Sequence, residues 1–126
     1  MPYKILVVDD SKLARMAVAK LLNALRPNWT RLEAANAEEA LTLARQSSVD
    51  LALLDFNMPE RDGLHLAADL RAIAQDLPLA VISANHQREV VDRATALGAE
   101  FLIKPLTEQA LSSFLDAAEA KLARNE

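Results

Sequence analysis

The chain has 126 residues, 52% of them hydrophobic and 25% charged, with a net charge of −4 and no cysteine. It is long enough for a real core and too apolar for disorder, and its acidic balance argues against a nucleic-acid surface, which needs a basic face. Without cysteine there is no disulfide, thiolate metal site or catalytic thiol, which suits the cytoplasm, and Ile5 to Val8 are too few apolar residues for a signal-peptide core or a membrane span.

Short apolar runs alternate with helical stretches from one end to the other. The first strand is read at Lys4 to Val8, followed by a helix capped by Ser11 and running to about Leu25. That helix carries Leu13, Met16, Ala17, Leu21 and Leu22 at helical spacing, and Pro27 punctuates its end. A second strand, about Thr30 to Ala34, alternates Leu32 and Ala34 with Arg31 and Glu33, as an edge strand would. Asn36 can cap a helix to about Arg45, with Glu38 and Glu39 at the end where the dipole favours anions. Leu51 to Leu54 form a third strand, and a loop with Pro59, Asp62 and Gly63 leads into a helix to about Gln75. Leu79 to Ile82 form the fourth strand, and a helix from Gln87 to Leu97 ends at Gly98, a residue suited to the left-handed cap. A fifth strand, Glu100 to Ile103, precedes a last helix from about Glu108 with Leu111, Leu115, Ala118 and Leu122 on one stripe. Lys121 and Arg124 near its end complement its dipole. No repeat or linker divides the chain, so residues 1–126 are expected to be a single domain with no output domain. Its architecture is expected to be α/β, a doubly wound parallel sheet with right-handed crossovers.

Polar groups recur where the strands end. Asp9 and Asp10 follow the first strand, Asp55 the third, Ser83 the fourth and Lys104 the fifth. In such sheets the carboxyl ends open on one edge, where ligands bind. A dinucleotide or phosphate loop would want glycines after the first strand, and Asp9-Asp10-Ser11-Lys12 stands there instead. Three clustered carboxylates repel one another unless a hard divalent cation with oxygen ligands joins them, and Mg²⁺ suits a site that expects a phosphate. Lys104 and Ser83 can contact phosphoryl oxygens, which makes the set look like phosphoryl transfer with Asp55 as nucleophile.

The pattern Asp9-Asp10, Asp55, Asn57-Met58-Pro59 with Gly63, Ser83-Ala84 and Lys104-Pro105 resembles the receiver domain of bacterial two-component response regulators, the CheY-like family. The resemblance covers the whole chain. It implies a flavodoxin-like (βα)5 fold with strand order 2-1-3-4-5. It also implies that Asp55 accepts a phosphoryl group from a histidine kinase or histidine phosphotransfer protein. By resemblance, Asp10, Asp55 and the Asn57 backbone carbonyl ligate Mg²⁺ with help from Asp9, and Lys104 and Ser83 hold the phosphoryl oxygens. Phe101 falls at the aromatic switch position coupled to Ser83, and the Lys104–Pro105 bond resembles one often cis in the family. Asn57 and Asn85 would line the path of the hydrolytic water.

A partner helix carrying the histidine would dock on Ala14, Arg15, Ala17, Pro105 and Leu106. Output would pass through a protein contact or onward phosphotransfer, without nucleic acid or membrane. Ser83 stands where threonine is frequent, and Arg61 replaces a frequent apolar residue. Two other readings compete with this one. A haloacid-dehalogenase-type phosphatase would also use an aspartyl nucleophile with Mg²⁺, but it wants an acid where Asn57 stands. A non-phosphorylated receiver-like scaffold would have lost an acceptor, acid or lysine, and none is lost. His65 and His86 show no ligand spacing, and Trp29 reads as a packing residue between the first helix and second strand.

Overall fold

A computed structural model of the chain describes residues 3–58, 62–84 and 87–124. Pro59, Arg61, Asn85 and His86 lie outside the described residues. Five strands and five helices alternate: β1 (Lys4–Val8), α1 (Lys12–Leu25), β2 (Thr30–Ala34), α2 (Ala37–Gln46), β3 (Leu51–Asp55), α3 (Gly63–Ile73), β4 (Leu79–Ser83), α4 (Arg88–Ala96), β5 (Glu100–Ile103) and α5 (Glu108–Arg124). All strand pairs are parallel, and the order is β2-β1-β3-β4-β5.

Side-chain parity on the central strands builds two cores. Leu6, Val8, Ala52, Leu54, Leu79 and Val81 point to the face covered by α2, α3 and α4. Ile5, Val7, Leu51, Leu53, Ala80 and Ile82 point to the face covered by α1 and α5. Burial on both faces is why these strands read as unbroken apolar runs, and each buried leucine contributes about 2 kcal/mol. β2 is only partly buried, as its alternation requires.

Local chemistry sets the helix starts. The Ser11 hydroxyl accepts from the Ala14 amide at 3.2 Å, and Asp62 Oδ1 accepts from the His65 amide at 2.8 Å. Asn36 Oδ1 accepts from the Glu39 amide, while Glu39 Oε1 accepts from the Ala35 amide, a reciprocal cap. Gly98 takes φ 69° after α4, the left-handed conformation that suits glycine.

The helices depart from the sequence reading in three places. On α1 the buried residues are Val18, Ala19 and Leu22, while Leu13 is 76% and Met16 57% exposed. This helix is apolar on more than one face, so spacing alone does not select the packed one. On α5, Phe114 joins Leu111, Leu115 and Ala118 in the core. Helix α3 stops at Ile73, short of Gln75, and Arg71 holds the chain that follows by donating to the carbonyls of Gln75 at 2.9 Å and Leu77 at 2.6 Å. The same guanidinium donates to Leu97 O at 3.0 Å, tying α3 to the end of α4.

Candidate functional site

The sheet ladder carries each polar group to the same edge. Beyond β1, the Asp9 amide still donates to Ala34 O at 3.1 Å, and the Asp9 carboxylate turns back to accept from the Ser11 amide at 2.9 Å. Asp55 is the last residue of β3 and pairs with Ile82; Ser83 ends β4 and pairs with Ile103. The Phe56 amide donates to Ile82 O at 2.9 Å, and the Lys104 amide to Ser83 O at 3.0 Å, so the ladder outlasts the strands by one rung. Lys104 therefore starts two strands from Asp55, and its long stem spans the end of β4. Its Nζ donates to Asp55 Oδ1 at 2.7 Å.

The loop after β3 folds back on the same strand end. The Gly63 amide donates to Phe56 O at 2.9 Å, and a Cβ at Gly63 would meet the Asp55 carbonyl oxygen. A glycine is needed there for closeness of approach, not for its backbone angle.

Asp9, Asp10 and Asp55 each offer one carboxylate oxygen within 4.8 Å of the others. Asp9 and Asp55 are buried and Asp10 is exposed. Burial pushes the Asp9 carboxyl above the usual carboxylate range. Repulsion from Asp55 and Asp10 adds to this, while the Ser11 amide and Lys104 oppose it. Three acids paired with one ammonium leave two negative charges at a half-buried spot. That donor set, all oxygen and short of two positive charges, fits a hard divalent cation.

Asn57 is exposed just beyond the strand. Phe101 is partly buried on the α2/α3/α4 face, paired with Val81, so it lies diagonally from Ser83 on that face. The Lys104–Pro105 bond is cis. Ala14, Ala17, Pro105 and Leu106 line a groove of about 540 Å³ together with Val18 and Leu21, and Asp9 and Lys104 close its pocket end. Arg15 is not in that lining; only 16% of its side chain is exposed, and it is bound to Glu33 at 3.1 Å. The sequence reading passed over Glu33 and Arg31 as the polar side of an edge strand, and their pairing with α1 needs knowledge of the fold. His65 is exposed and faces Asp62 at 3.0 Å.

Strand order and edge chemistry together define a flavodoxin-like domain whose ligand edge is an acidic pocket paired to a lysine. Residues 5–116 match the response regulator receiver domain, and the chain belongs to that family. It is 33% identical over 126 residues to the transcriptional regulatory protein PdtaR of Mycobacterium tuberculosis, a match covering 98% of this chain and 58% of the regulator. It is 34% identical to chemotaxis protein CheY-3 of Vibrio cholerae, covering 90% of this chain and 88% of that one. The solved chemotaxis protein CheY4 of Vibrio cholerae superposes with a TM-score of 0.84 at 26% identity, covering 94% of this chain and 99% of that one.

The chain thus spans a little over half the length of PdtaR. Receiver domains are signalling switches of two-component systems that work with histidine kinases or phosphotransfer proteins and generally bind Mg²⁺ at an acidic pocket. The phosphatase and scaffold readings find no support. Relatives include the nitrate/nitrite response regulator NarL of Escherichia coli and other regulators of transcription, so the domain's net charge does not decide whether nucleic acid is among the partners. Among the described residues no helix is long and apolar enough to cross a membrane.

Proposed function

We propose that this domain is a cytoplasmic switch whose phosphoacceptor is Asp55. The observation that carries the reading is the Lys104 Nζ–Asp55 Oδ1 contact of 2.7 Å beside the three-carboxylate cluster. With one carboxylate oxygen held by Lys104, the other is the atom to attack phosphorus. A bond from that oxygen to phosphorus forms as the phosphorus–nitrogen bond of a partner's phosphohistidine breaks, leaving an acyl phosphate on Asp55 and the imidazole on the partner. Lys104 then moves its hydrogen bond from the carboxylate to a phosphoryl oxygen, and the Ser83 hydroxyl donates to another.

Asp9, Asp10, Asp55 and the Asn57 carbonyl would hold Mg²⁺, which supplies charge neutralisation for the transferring group. Withdrawal of the Ser83 hydroxyl toward phosphate frees space on the face it shares with Phe101, which then turns inward as the switch. Water admitted beside Asn57 returns the domain to its resting state by hydrolysis. The groove between α1 and the β5–α5 connection suits the donor because it is apolar and runs to the pocket, so a partner helix lying there brings its histidine to Asp55. The domain acts as one unit whose output is a protein contact or onward phosphotransfer.

Acetyl phosphate with Mg²⁺ should add one phosphoryl group to the wild type by intact mass, and none to Asp55→Asn. Beryllium fluoride should bind only when Mg²⁺ is present. Undiminished labelling of Asp55→Asn would defeat the assignment.

A further inference from the structure

Arg15, expected from the sequence to anchor a partner, spends its guanidinium inside the protein. Nη1 donates to the Asp9 carbonyl oxygen at 2.6 Å, and Nε donates to Glu33 Oε1 at 3.1 Å. Glu33 is itself fixed, because Arg31 Nε donates to its other oxygen at 3.0 Å and Arg31 Nη1 reaches Asn23 Oδ1 at 3.3 Å. A chain of polar contacts therefore runs from α1 through β2 and back to the end of β1.

The carbonyl that Arg15 holds belongs to the peptide between the two acids. A peptide unit is planar, so fixing its oxygen fixes the direction in which the chain enters Asp10. The Asp9 amide is held by Ala34 O and the Asp9 carboxylate by the Ser11 amide. Those two contacts orient Asp9; among the described residues the Arg15 contact is the one that acts on the Asp9–Asp10 peptide. Asp10 is exposed and close to the other two acids only because the backbone aims it there.

We infer that Arg15 is a positioning residue of the acidic pocket: it clamps the Asp9–Asp10 peptide, with Glu33 as its anchor, so that both carboxylates converge on Asp55. Arginine suits the task because its planar fork serves two acceptors at once, whereas a lysine ammonium offers no such fork. The consequence for metal rests on the proposed Mg²⁺ site, whereas the clamp itself does not.

Titration calorimetry with Mg²⁺ on Arg15→Gln, Arg15→Lys and Glu33→Gln tests the clamp, with stability measured separately in chelator. Loss of an outer partner that orients a ligand weakens metal binding by about tenfold, the effect expected for Arg15→Gln. Arg15→Lys should recover part of it, and Glu33→Gln should weaken binding by less than Arg15→Gln does. Labelling of Arg15→Gln should slow equally with acetyl phosphate and with a phosphorylated histidine kinase. Wild-type Mg²⁺ affinity in Arg15→Gln, even with lower stability, would overturn the clamp and leave a mere tie between α1 and β2. Loss confined to the kinase donor would overturn it too, returning Arg15 to the docking face.

Should Arg15→Gln not fold, unchanged Mg²⁺ affinity in Glu33→Gln is the overturning result. A wild type that binds no Mg²⁺, or an Asp10→Ala that still does, defeats the metal reading instead. Carbon-13 carbonyl shifts of Asp9 and Asp10 in metal-free protein then decide: both should move in Arg15→Gln, and unmoved shifts overturn the clamp.

Discussion

A side-chain cluster at each edge of the sheet sets more acids than bases together, with opposite consequences. At the amino edge Arg26, which ends α1, bonds Glu119 at 2.8 Å and Asp116 at 2.5 Å and stacks over the Trp29 ring at 5.6 Å. Its acids are spread along α5, with 69% of the Asp116 side chain exposed, so water screens the surplus charge. At the carboxyl edge Asp9 and Asp55 are buried, and Lys104 is paired to one of them. Burial, more than the number of charges, separates a stabilising surface cluster from a pocket that stores repulsion for a ligand to relieve.

Glycine substitutions break this comparison hardest. A Cβ at Gly63 would meet the Asp55 carbonyl oxygen and lie 2.9 Å from Phe56 Cα, both backbone atoms that cannot swing away. Gly63→Ala should cost about 1–3 kcal/mol in urea unfolding and weaken Mg²⁺ binding, because the strain falls on the acceptor strand. At Gly98 a Cβ lies 3.7 Å from Arg71 Nη2, and the difficulty is φ +69°. Gly98→Ala should cost about 1 kcal/mol and leave Mg²⁺ affinity unchanged. Equal loss of Mg²⁺ affinity in both variants would show that the edges are not independent.

Metal sharpens the contrast next. Mg²⁺ at about ten times its dissociation constant should stabilise the wild type by about 1.4 kcal/mol through linkage. Asp10→Ala should abolish that increment. Arg26→Ala should cost about 1 kcal/mol by losing its ion pairs and ring contact, yet keep the full metal increment. An increment surviving in Asp10→Ala would place the metal elsewhere.

Strand ends were legible because the apolar runs of β3 and β4, buried on two faces, stop abruptly at Asp55 and Ser83, and the shorter apolar run of the edge strand β5 stops at Lys104. The reciprocal cap at Asn36 was half legible, since Asn36 and Glu39 stand three apart. Strand order came from family resemblance, because alternation of strands and helices does not fix it. The packed face of α1 was illegible: Leu13 and Met16 look as core-worthy as Val18 and Leu22 until α5 and the sheet are in place. The contacts of Arg15 were illegible for a similar reason, for that side chain's partners are distant in sequence. Its partners Glu33 and the Asp9 carbonyl are brought together only by the β1–β2 pairing and the return of α1, and neither leaves a local pattern.

Acidity tests the β2 flank against the pocket at a smaller scale. Hydrogen bonds from Arg31, then from Arg15, hold the Glu33 carboxyl below its usual range. Its folded value is depressed, so its contribution is present above the unfolded value near 4.5 and is lost as pH falls through the folded one. Glu33→Gln should therefore cost about 0.5 kcal/mol at neutral pH, with the gap from wild type closing in acid. Asp9 has the opposite sign, since its raised value makes the ionised form a cost at neutral pH. Asp9→Asn should accordingly stabilise the metal-free protein at pH 7. Chemical denaturation across pH checks both, and parallel pH profiles for the two variants would contradict the assignment.

The smallest effect is one that should be absent. Trp29 packs edge-on against Tyr3 at 5.5 Å and 86° and adjoins Thr30, whose partner across the sheet is Lys4. Four rungs separate that pair from Val8 and Ala34, which is about 13 Å along the strand before the pocket begins. The two cores between the edges are built of apolar side chains. Mg²⁺ saturation and beryllium fluoride should therefore leave tryptophan emission almost unchanged in wild type. Arg26→Ala, which removes the cation over the ring, should change it without either ligand. Saturable quenching by Mg²⁺ would mean that rearrangement at the pocket reaches the amino edge, and the two edges would have to be treated as one coupled unit.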